Sequence, residues 1–227
     1  MKKILLLSSM IGLISGAEAT RGNIYVGPFV GMGITDGKFT SVNDANNIRR
    51  NNRISDKGFL GGLLVGYAHP CNNLLMGFEL LGNFDTTDDK ILEEKALNNN
   101  ETFKIRNRAS YGFSARIGYR TSSDAVAFIR LGGEWTTHKF TYRGTDQTTI
   151  LPVSKSTTKF AFVPGIGIEA PVGGKWRARL EAKYSLPKKM SFRIPNTVPA
   201  ALTFENSRAR IRTGQTSVVM GVTYSFG

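Results

Sequence analysis

Ten charged side chains recur at every second position of alternating segments, so a strand would turn them all toward one face. They carry both signs, and carboxylates could therefore pair with guanidinium or ammonium groups at short range. Such a set can act as a static plug of salt bridges or as a narrow ion path. The ten residues are Glu79, Arg116, Arg120, Arg130, Glu134, Glu169, Arg177, Arg179, Glu181 and Lys183.

The residues that could serve in catalysis or bind a metal are few. The chain has two histidines, His69 and His138, and one cysteine, Cys71. We place His69 in a short turn and His138 at the opposite end of its strand, as a polar residue at an interface, so they cannot share a site. Two separated histidines and one cysteine do not form a metal cluster, and no phosphate-binding loop motif is present. We therefore predict no enzymatic activity, cofactor or metal.

The elements that position the charged side chains are eight segments with a two-residue period. In the segment ending at Arg120, Tyr111, Phe113 and Tyr119 share one parity with other apolar residues, while small and charged residues take the other. That period indicates a strand with two different faces. The eight segments cover about residues 24–34, 58–68, 74–84, 111–120, 125–137, 160–169, 176–186 and 218–226.

The connections between these segments alternate between about twenty polar residues and about four, and the short ones follow the second, fourth and sixth segments. This arrangement predicts four hairpins. In a membrane barrel the long connections lie outside the cell and the short turns lie on the periplasmic side. The long connections are residues 35–57, 85–104, about 138–158 and about 187–213.

The two parities differ in a way that indicates which one faces lipid. A soluble lipocalin-type barrel is the alternative, and its polar parity would be solvated. Here that parity is mostly glycine, serine, threonine and alanine, which suit the crowded interior of an eight-stranded barrel. The bulky parity then faces lipid, and a closed barrel satisfies all backbone groups there. Aromatic residues near the segment ends fit two girdles: Tyr67, Tyr119, Trp176, Tyr224 and Phe226 on the turn side, and Phe84 and Trp135 on the loop side.

The prediction is thus an all-β, eight-stranded antiparallel up-and-down transmembrane β-barrel with long extracellular loops and short periplasmic turns. Because eight strands leave little open space inside, we favour the salt-bridge plug over the ion path.

The first nineteen residues have the pattern of an export signal. A charged start, the apolar run 4–14 and Ala17-Glu18-Ala19 predict a signal peptide over residues 1–19, followed by a barrel domain over residues 20–227. The net charge of +13 becomes +12 once the two lysines and one glutamate of the signal are removed. For an exported protein this charge favours lipid phosphates, lipopolysaccharide or surface polysaccharide as partners, and no nucleic acid.

The early strand Asn23-Ile24-Tyr25-Val26-Gly27 and the final Val218-x-Met220-x-Val222-x-Tyr224-x-Phe226 resemble the small bacterial outer-membrane β-barrel superfamily. This superfamily includes OmpA-type transmembrane domains, OmpX, Opa adhesins and alphaproteobacterial surface antigens. The resemblance covers the whole chain after the signal, and implies location in a Gram-negative outer membrane. It also implies that the barrel-assembly machinery reads the last strand, which ends at Phe226 and is followed here by Gly227.

The long connections differ in charge. The second is acidic, whereas a basic rim formed by the first and last would favour lipopolysaccharide phosphates or sulfated host glycans. The alternative is a crown of loops that neutralise one another. We predict a surface protein whose barrel is the anchor and whose loops make adhesin-like contacts to host surface glycans or proteins; the alternative is a narrow, porin-like pore for small solutes. The basic candidates are Arg49, Arg50, Arg53, Lys188, Lys189, Arg193, Arg208, Arg210 and Arg212.

Overall fold

The computed structural model describes residues 22–43, 49–86, 88–96, 99–146, 149–193 and 207–226. The predicted signal peptide and Gly227 lie outside the described residues, so signal cleavage stays a prediction. Among the described residues, no helix is long and apolar enough to cross a membrane.

The described chain folds into nine antiparallel strand segments that occupy eight positions of one closed barrel. The third position holds two successive segments, β3 and β4, which both pair with β5. Pairing of β3 with β5 as well as β2 closes the sheet, so the predicted fold class is confirmed. The strands are β1 Asn23–Asn43, β2 Arg49–Cys71, β3 Leu74–Asp85, β4 Asp88–Ala96, β5 Asn99–Arg120, β6 Val126–Asp146, β7 Thr149–Gly173, β8 Trp176–Arg193 and β9 Ser207–Ser225.

The strands are longer than the alternating segments predicted. The ladder between β1 and β2 continues to the pair Val42 and Arg49, and the ladder between β6 and β7 continues to Asp146 and Thr149. Much of each polar connection is therefore strand that extends the barrel beyond its apolar part. Alternation marks only the stretch with one continuous apolar face. It is lost where both faces are mostly polar, although the hydrogen-bonded ladder continues.

The short turns lie close to where the sequence predicted them, but β2 continues through His69 to Cys71, so His69 is in a strand and the first turn is Asn72 and Asn73. Asn72 and Asp124 have φ values of 55° and 60°, and Gly174 has a φ of 54°. Asparagine, aspartate and glycine tolerate this left-handed conformation better than other residues. The amide of Phe226 donates to the carbonyl of Ile24, 2.8 Å away, which holds the residue that follows the final strand against the first strand. Recognition of Phe226 by the assembly machinery stays a prediction.

The two faces of the barrel wall point in the directions that the sequence predicted, with the bulky apolar face outward and the small and charged face inward. Outward-facing apolar side chains are exposed, with Phe59 at 67% and Ile166 at 63%, whereas Glu79 is 1% exposed and points inward. We call the outward-facing apolar surface the apolar belt. Aromatic rings pack together at both of its edges, as Trp135 with Phe160 at 5.0 Å and Trp176 with Tyr224 at 5.0 Å. These pairs form the two girdles expected of a membrane barrel.

The interior is filled in three layers. Tyr25, Leu75, Val126 and Phe128 occupy the end near the short turns. Charged side chains occupy the middle, beside buried Phe29, Leu64 and Leu81. In the extension above the apolar belt, Phe39 and Met190 both lie opposite Ile211, and all three are buried. The extension thus has an apolar core of its own.

A substitution at Gly66 would test the packing of the layer nearest the short turns. A Cβ atom at this position would lie 2.3 Å from Cζ of Tyr25, whereas at Gly82 no atom lies within 4 Å. We expect Gly66→Ala to displace the Tyr25 ring and to destabilise the barrel by about 1–3 kcal/mol, as overpacked cores are. Gly82→Ala is the matched control and should unfold like the wild type. Urea unfolding in lipid vesicles, followed by tryptophan fluorescence, measures both, and equal midpoints for the two variants would contradict this packing.

Candidate functional site

Glu79 on β3 is the centre of the charged middle layer. Its carboxylate accepts hydrogen bonds from the Tyr25 hydroxyl at 2.7 Å, from the Ser114 hydroxyl at 3.2 Å and from both terminal nitrogens of Arg179. The Nε of Arg116 lies 3.6 Å from the same carboxylate. Four side chains from three other strands, β1, β5 and β8, converge on this carboxylate, and a buried carboxylate requires such partners.

The three buried arginines bridge further carboxylates around the lumen. Arg116 donates to Glu169 at 2.6 Å, and Arg130 donates to Glu181 at 2.7 Å. Arg179 also donates to Glu181, at 2.7 Å, and thereby links Glu79 to Glu181. These bonds span β3, β5, β6, β7 and β8, so the arginines tie the barrel walls together across its interior.

Lys183 and Glu134 form the upper edge of this layer. The Lys183 ammonium donates to Glu134 at 3.2 Å, and Arg130 lies 3.6 Å from the same carboxylate. With them the layer contains four buried carboxylates and four buried cations among the described residues, so its formal charge is zero. We call these eight residues the lumen cluster: Glu79, Glu134, Glu169, Glu181, Arg116, Arg130, Arg179 and Lys183.

Aromatic faces surround the cations of the lumen cluster. The guanidinium carbon of Arg179 lies 4.6 Å from the centre of the Phe128 ring, and that of Arg116 lies 4.8 Å from the Tyr25 ring. Cation–π contacts of this kind stabilise desolvated guanidinium groups. The apolar layer below therefore supports the cluster as well as filling space.

Two of the predicted lumen residues lie at the edge of the lumen cluster and not inside it. Arg120 is 39% exposed at the end of β5 and pairs with Asp124 in the adjacent turn at 3.2 Å. Arg177, 18% exposed, pairs with Asp124 at 2.9 Å and with Glu169 at 2.8 Å. Both arginines lie at the mouth of the barrel, because their positions are the inward-facing ones nearest to a short turn, Arg120 before the turn and Arg177 after it.

His138 lies inside the barrel, 4% exposed, and not at the membrane interface where we expected it. His138 has the same parity on β6 as Arg130 and Glu134, so the alternation could have predicted that it faces inward. His138 lies above the apolar belt, where burial and then the nearby Lys188 cation lower its pKa to about 3, while Asp85 acts in the opposite direction. The imidazole is therefore neutral at physiological pH.

Lys188 was expected among the basic contacts of a loop, but it points into the extension. It is half-buried, and its ammonium donates to the Thr136 hydroxyl at 2.9 Å. A register shift between Ser185 and Lys188 on β8 is the cause, because it reverses the parity of the residues that follow. Burial lowers the pKa of Lys188 to about 8.

Of the other eight basic candidates, the structure describes the side chains of four. Arg53, Lys189, Arg210 and Arg212 are exposed on the outer face of the extension. The side chains of Arg49, Arg50, Arg193 and Arg208 lie outside the described residues. Lys38 was not among the candidates, yet it is exposed on the outer face of β1, directly between Arg53 and Arg212. Continuing the outward parity of Ile34 and Asp36 by two residues would have found it.

Tyr25 and Ser114 are also partners of Glu79 that sequence reasoning missed. Tyr25 stands on the small-residue parity of β1, where an aromatic residue is the exception and so could have been read as a filler of the interior. Ser114 has the parity of Arg116, but nothing in its spacing distinguishes it from other serines.

An eight-stranded closed barrel with an apolar outer wall and a charged, filled interior defines the class of small outer-membrane barrels. The chain belongs to the outer membrane protein β-barrel domain family, whose model matches residues 4–226. It is thus an outer-membrane β-barrel of the Gram-negative type, and the resemblance noted from its first and last strands is confirmed.

Several solved structures are similar to this chain at low sequence identity. The outer membrane protein OprG from Pseudomonas aeruginosa is 14% identical with a TM-score of 0.59, and the match covers 90% of this chain and 95% of OprG. Ail, the attachment invasion locus protein of Yersinia pestis, is 13% identical with a TM-score of 0.38, covering 89% and 98%. Neisserial surface protein A is 17% identical with a TM-score of 0.39, covering 89% and 97%. A search of curated proteins finds no match.

His138 should make the stability of the protein sensitive to acid. Its pKa is near 6.5 when unfolded and about 3 when folded, so the unfolded state binds more protons between these values. The histidine therefore lowers the free energy of unfolding as pH falls from 6.5 toward 3, by at most about 1.4 kcal/mol per pH unit. We expect His138→Asn to lose less stability than the wild type between pH 7 and pH 4 in urea unfolding. Both proteins contain the same carboxylates, so the effect of these groups cancels when the two losses of stability are compared. Equal losses in the wild type and the variant would contradict the burial of His138.

Proposed function

We propose that this protein is a sealed outer-membrane barrel that anchors an extended surface structure, and that the basic outer face of this structure contacts anionic polymers at the cell surface. The observation that supports the seal is the packing of buried side chains in the described part of the lumen. The lumen cluster pairs every buried carboxylate with a cation, and apolar layers lie both below and above it.

The lumen cluster is suited to closure because opening it is costly. A path for solutes through the middle layer requires separation of bonds such as Arg116 to Glu169 and Arg130 to Glu181, at 2.6 and 2.7 Å. Removing one partner of a buried pair leaves an uncompensated charge, which costs about 3–5 kcal/mol. Even with this layer open, Phe39, Met190 and Ile211 would still fill the extension.

Conductance is the direct measurement of the seal. We expect the full-length protein in a planar lipid bilayer to give no stable single-channel conductance at moderate voltage. Phe39→Ala should also stay closed, because the lumen cluster below it remains intact. Stable wild-type conductance that Arg130→Ala abolishes would contradict the seal and favour the narrow pore.

The surface contact is proposed for the outer face of the extension, far from the lumen. Arg210 is exposed there on β9, and its cross-strand neighbours Thr40 and Ser191 are uncharged. Arg208 lies two residues further from the membrane on the same strand. Cations at this height favour sulfate or phosphate groups of polymers, with an attraction that salt screens.

Binding of a sulfated polymer to whole cells measures this contact. We expect cells that display the wild type to bind labelled heparin, and Arg208→Gln/Arg210→Gln to bind about fivefold less, as loss of two positive charges allows. The matched control is Arg108→Gln/Lys159→Gln, which removes the same charge from exposed positions on β5 and β7. An equal loss of heparin binding in both double variants would show that only the net charge matters. No loss of binding in either variant would refute the contact.

A further inference from the structure

We infer that four outward-facing cations just above the apolar belt form a binding site for the phosphate groups of an anionic lipid in the outer leaflet. We call these residues the cationic row: Arg53, Lys38, Arg212 and Lys189, on β2, β1, β9 and β8. The inference requires only that the barrel is embedded in the membrane, and it goes beyond the proposed contact with surface polymers.

The strand register places the cationic row in one line. Lys38 lies directly opposite Arg53 on one side and Arg212 on the other, and Arg212 lies directly opposite Lys189. All four side chains are exposed on the outer face. Directly opposed residues of neighbouring strands have their Cβ atoms about 4.5–5.5 Å apart, so four positive charges stand side by side.

This row opposes the stability of the sheet unless an anion covers it. Like charges directly opposite one another are destabilising. Among the side chains that the structure describes, no carboxylate lies within ion-pair distance of the four cations. Asp36, two residues below Lys38, is the acidic side chain described in their cleft. A ligand with more than one phosphate would neutralise the repulsion along the whole row.

The height of the cationic row matches that of lipid headgroups. Ile34 is the last outward-facing apolar side chain described on β1, and Lys38 follows four residues later. At about 3.3 Å per residue and a tilt of about 40°, the row lies about 10 Å above Ile34. The headgroup layer of one leaflet is about 5–8 Å thick, and the long lysine and arginine side chains can bend down into it.

A cleft connects the cationic row with the apolar belt. It measures about 330 Å³, and its upper part is lined by Lys38, Arg53 and Arg212. Its lower part is lined by Tyr184 and Thr216, which are paired across β8 and β9 at the level of Ile34. A phosphorylated headgroup in the cleft would leave its acyl chains along the apolar belt, with the Tyr184 ring at the interface.

The direction of the row favours a lipid over a soluble polymer. Side chains on the outer wall of a barrel project parallel to the membrane plane, into the layer of neighbouring lipids. A polysaccharide would have to enter that layer to reach Lys38, whereas the phosphates of a lipid already lie in it. The occupant that fits is therefore a lipid with phosphate groups on its headgroup, such as the anchor of lipopolysaccharide.

Lipid retention tests the inference on the full-length protein. We would refold it in phosphatidylcholine vesicles that contain a small fraction of either diphosphorylated lipid A or its dephosphorylated form, extract it with mild detergent, and measure retained lipid by mass spectrometry. The wild type should retain about fivefold more of the phosphorylated form, and Lys38→Gln/Arg212→Gln should retain both forms equally. Asp36→Asn should increase retention of the phosphorylated form, because it removes the acidic group from the cleft.

Two controls keep the outcome interpretable. Arg108→Gln/Lys159→Gln, on the other half of the barrel, should retain phosphorylated lipid like the wild type. In vesicles of phosphatidylcholine alone, Lys38→Gln/Arg212→Gln should unfold in urea no earlier than the wild type, because its change relieves like-charge repulsion; this also verifies that the variant folds.

Three results would overturn the inference. The wild type could retain both lipids equally, or the row variant could retain phosphorylated lipid like the control variant. The third is that heparin binds the wild type in phosphatidylcholine vesicles and fails to bind the row variant, which would assign the row to a soluble polyanion. Failure of heparin to bind whole cells, by contrast, would refute the proposed surface contact and leave the lipid site standing.

Discussion

The structure depends on one constraint: in hydrocarbon, a backbone amide or carbonyl has no partner except another backbone group. Pairing of β3 with both β2 and β5 meets this constraint, because it closes the sheet. Closure with eight strands makes the lumen narrow. Small residues must then alternate with the side chains that fill the interior, and the bulky aromatic and aliphatic residues must take the outer parity.

The lumen cluster follows from the same constraint. Charged groups in a narrow, water-poor interior need partners, and the four carboxylates and four cations described there supply them to one another. Glu79 and Arg179 hold partners on several strands, so the cluster acts as one unit and not as separate pairs. A buried ion network is weak support for stability in itself. Its effect here is to fill and cross-link the lumen, which moves any activity of the protein to its outer surfaces.

Sequence alone was sufficient for the part of the fold in which one face is apolar. The eight segments, the short turns and the inward parity of Glu79 and Arg130 could all be read from a period of two. The extension could not, because apolar residues such as Phe39 and Ile211 are too sparse on its strands to form a recognisable period in the sequence. The register shift before Lys188 could not be predicted either, because nothing in the sequence of β8 shows where the inward-facing positions change from odd to even numbers. Tyr25 shows a third limit: its place inside depends on the empty space above Gly66 on the neighbouring strand.

Charge alone would group all basic residues of the extension into one rim, but strand geometry separates them by direction and height. Lys188 points inward toward Thr136, whereas Lys189, the next residue, points outward beside Arg212. Arg210 lies two residues beyond Arg212 on the same face and therefore further from the membrane. A net charge of +13 thus does not describe a single anion-binding surface. The cations nearest the apolar belt meet the headgroups of lipids before any soluble polymer reaches them, and only those further out are available to partners from solution.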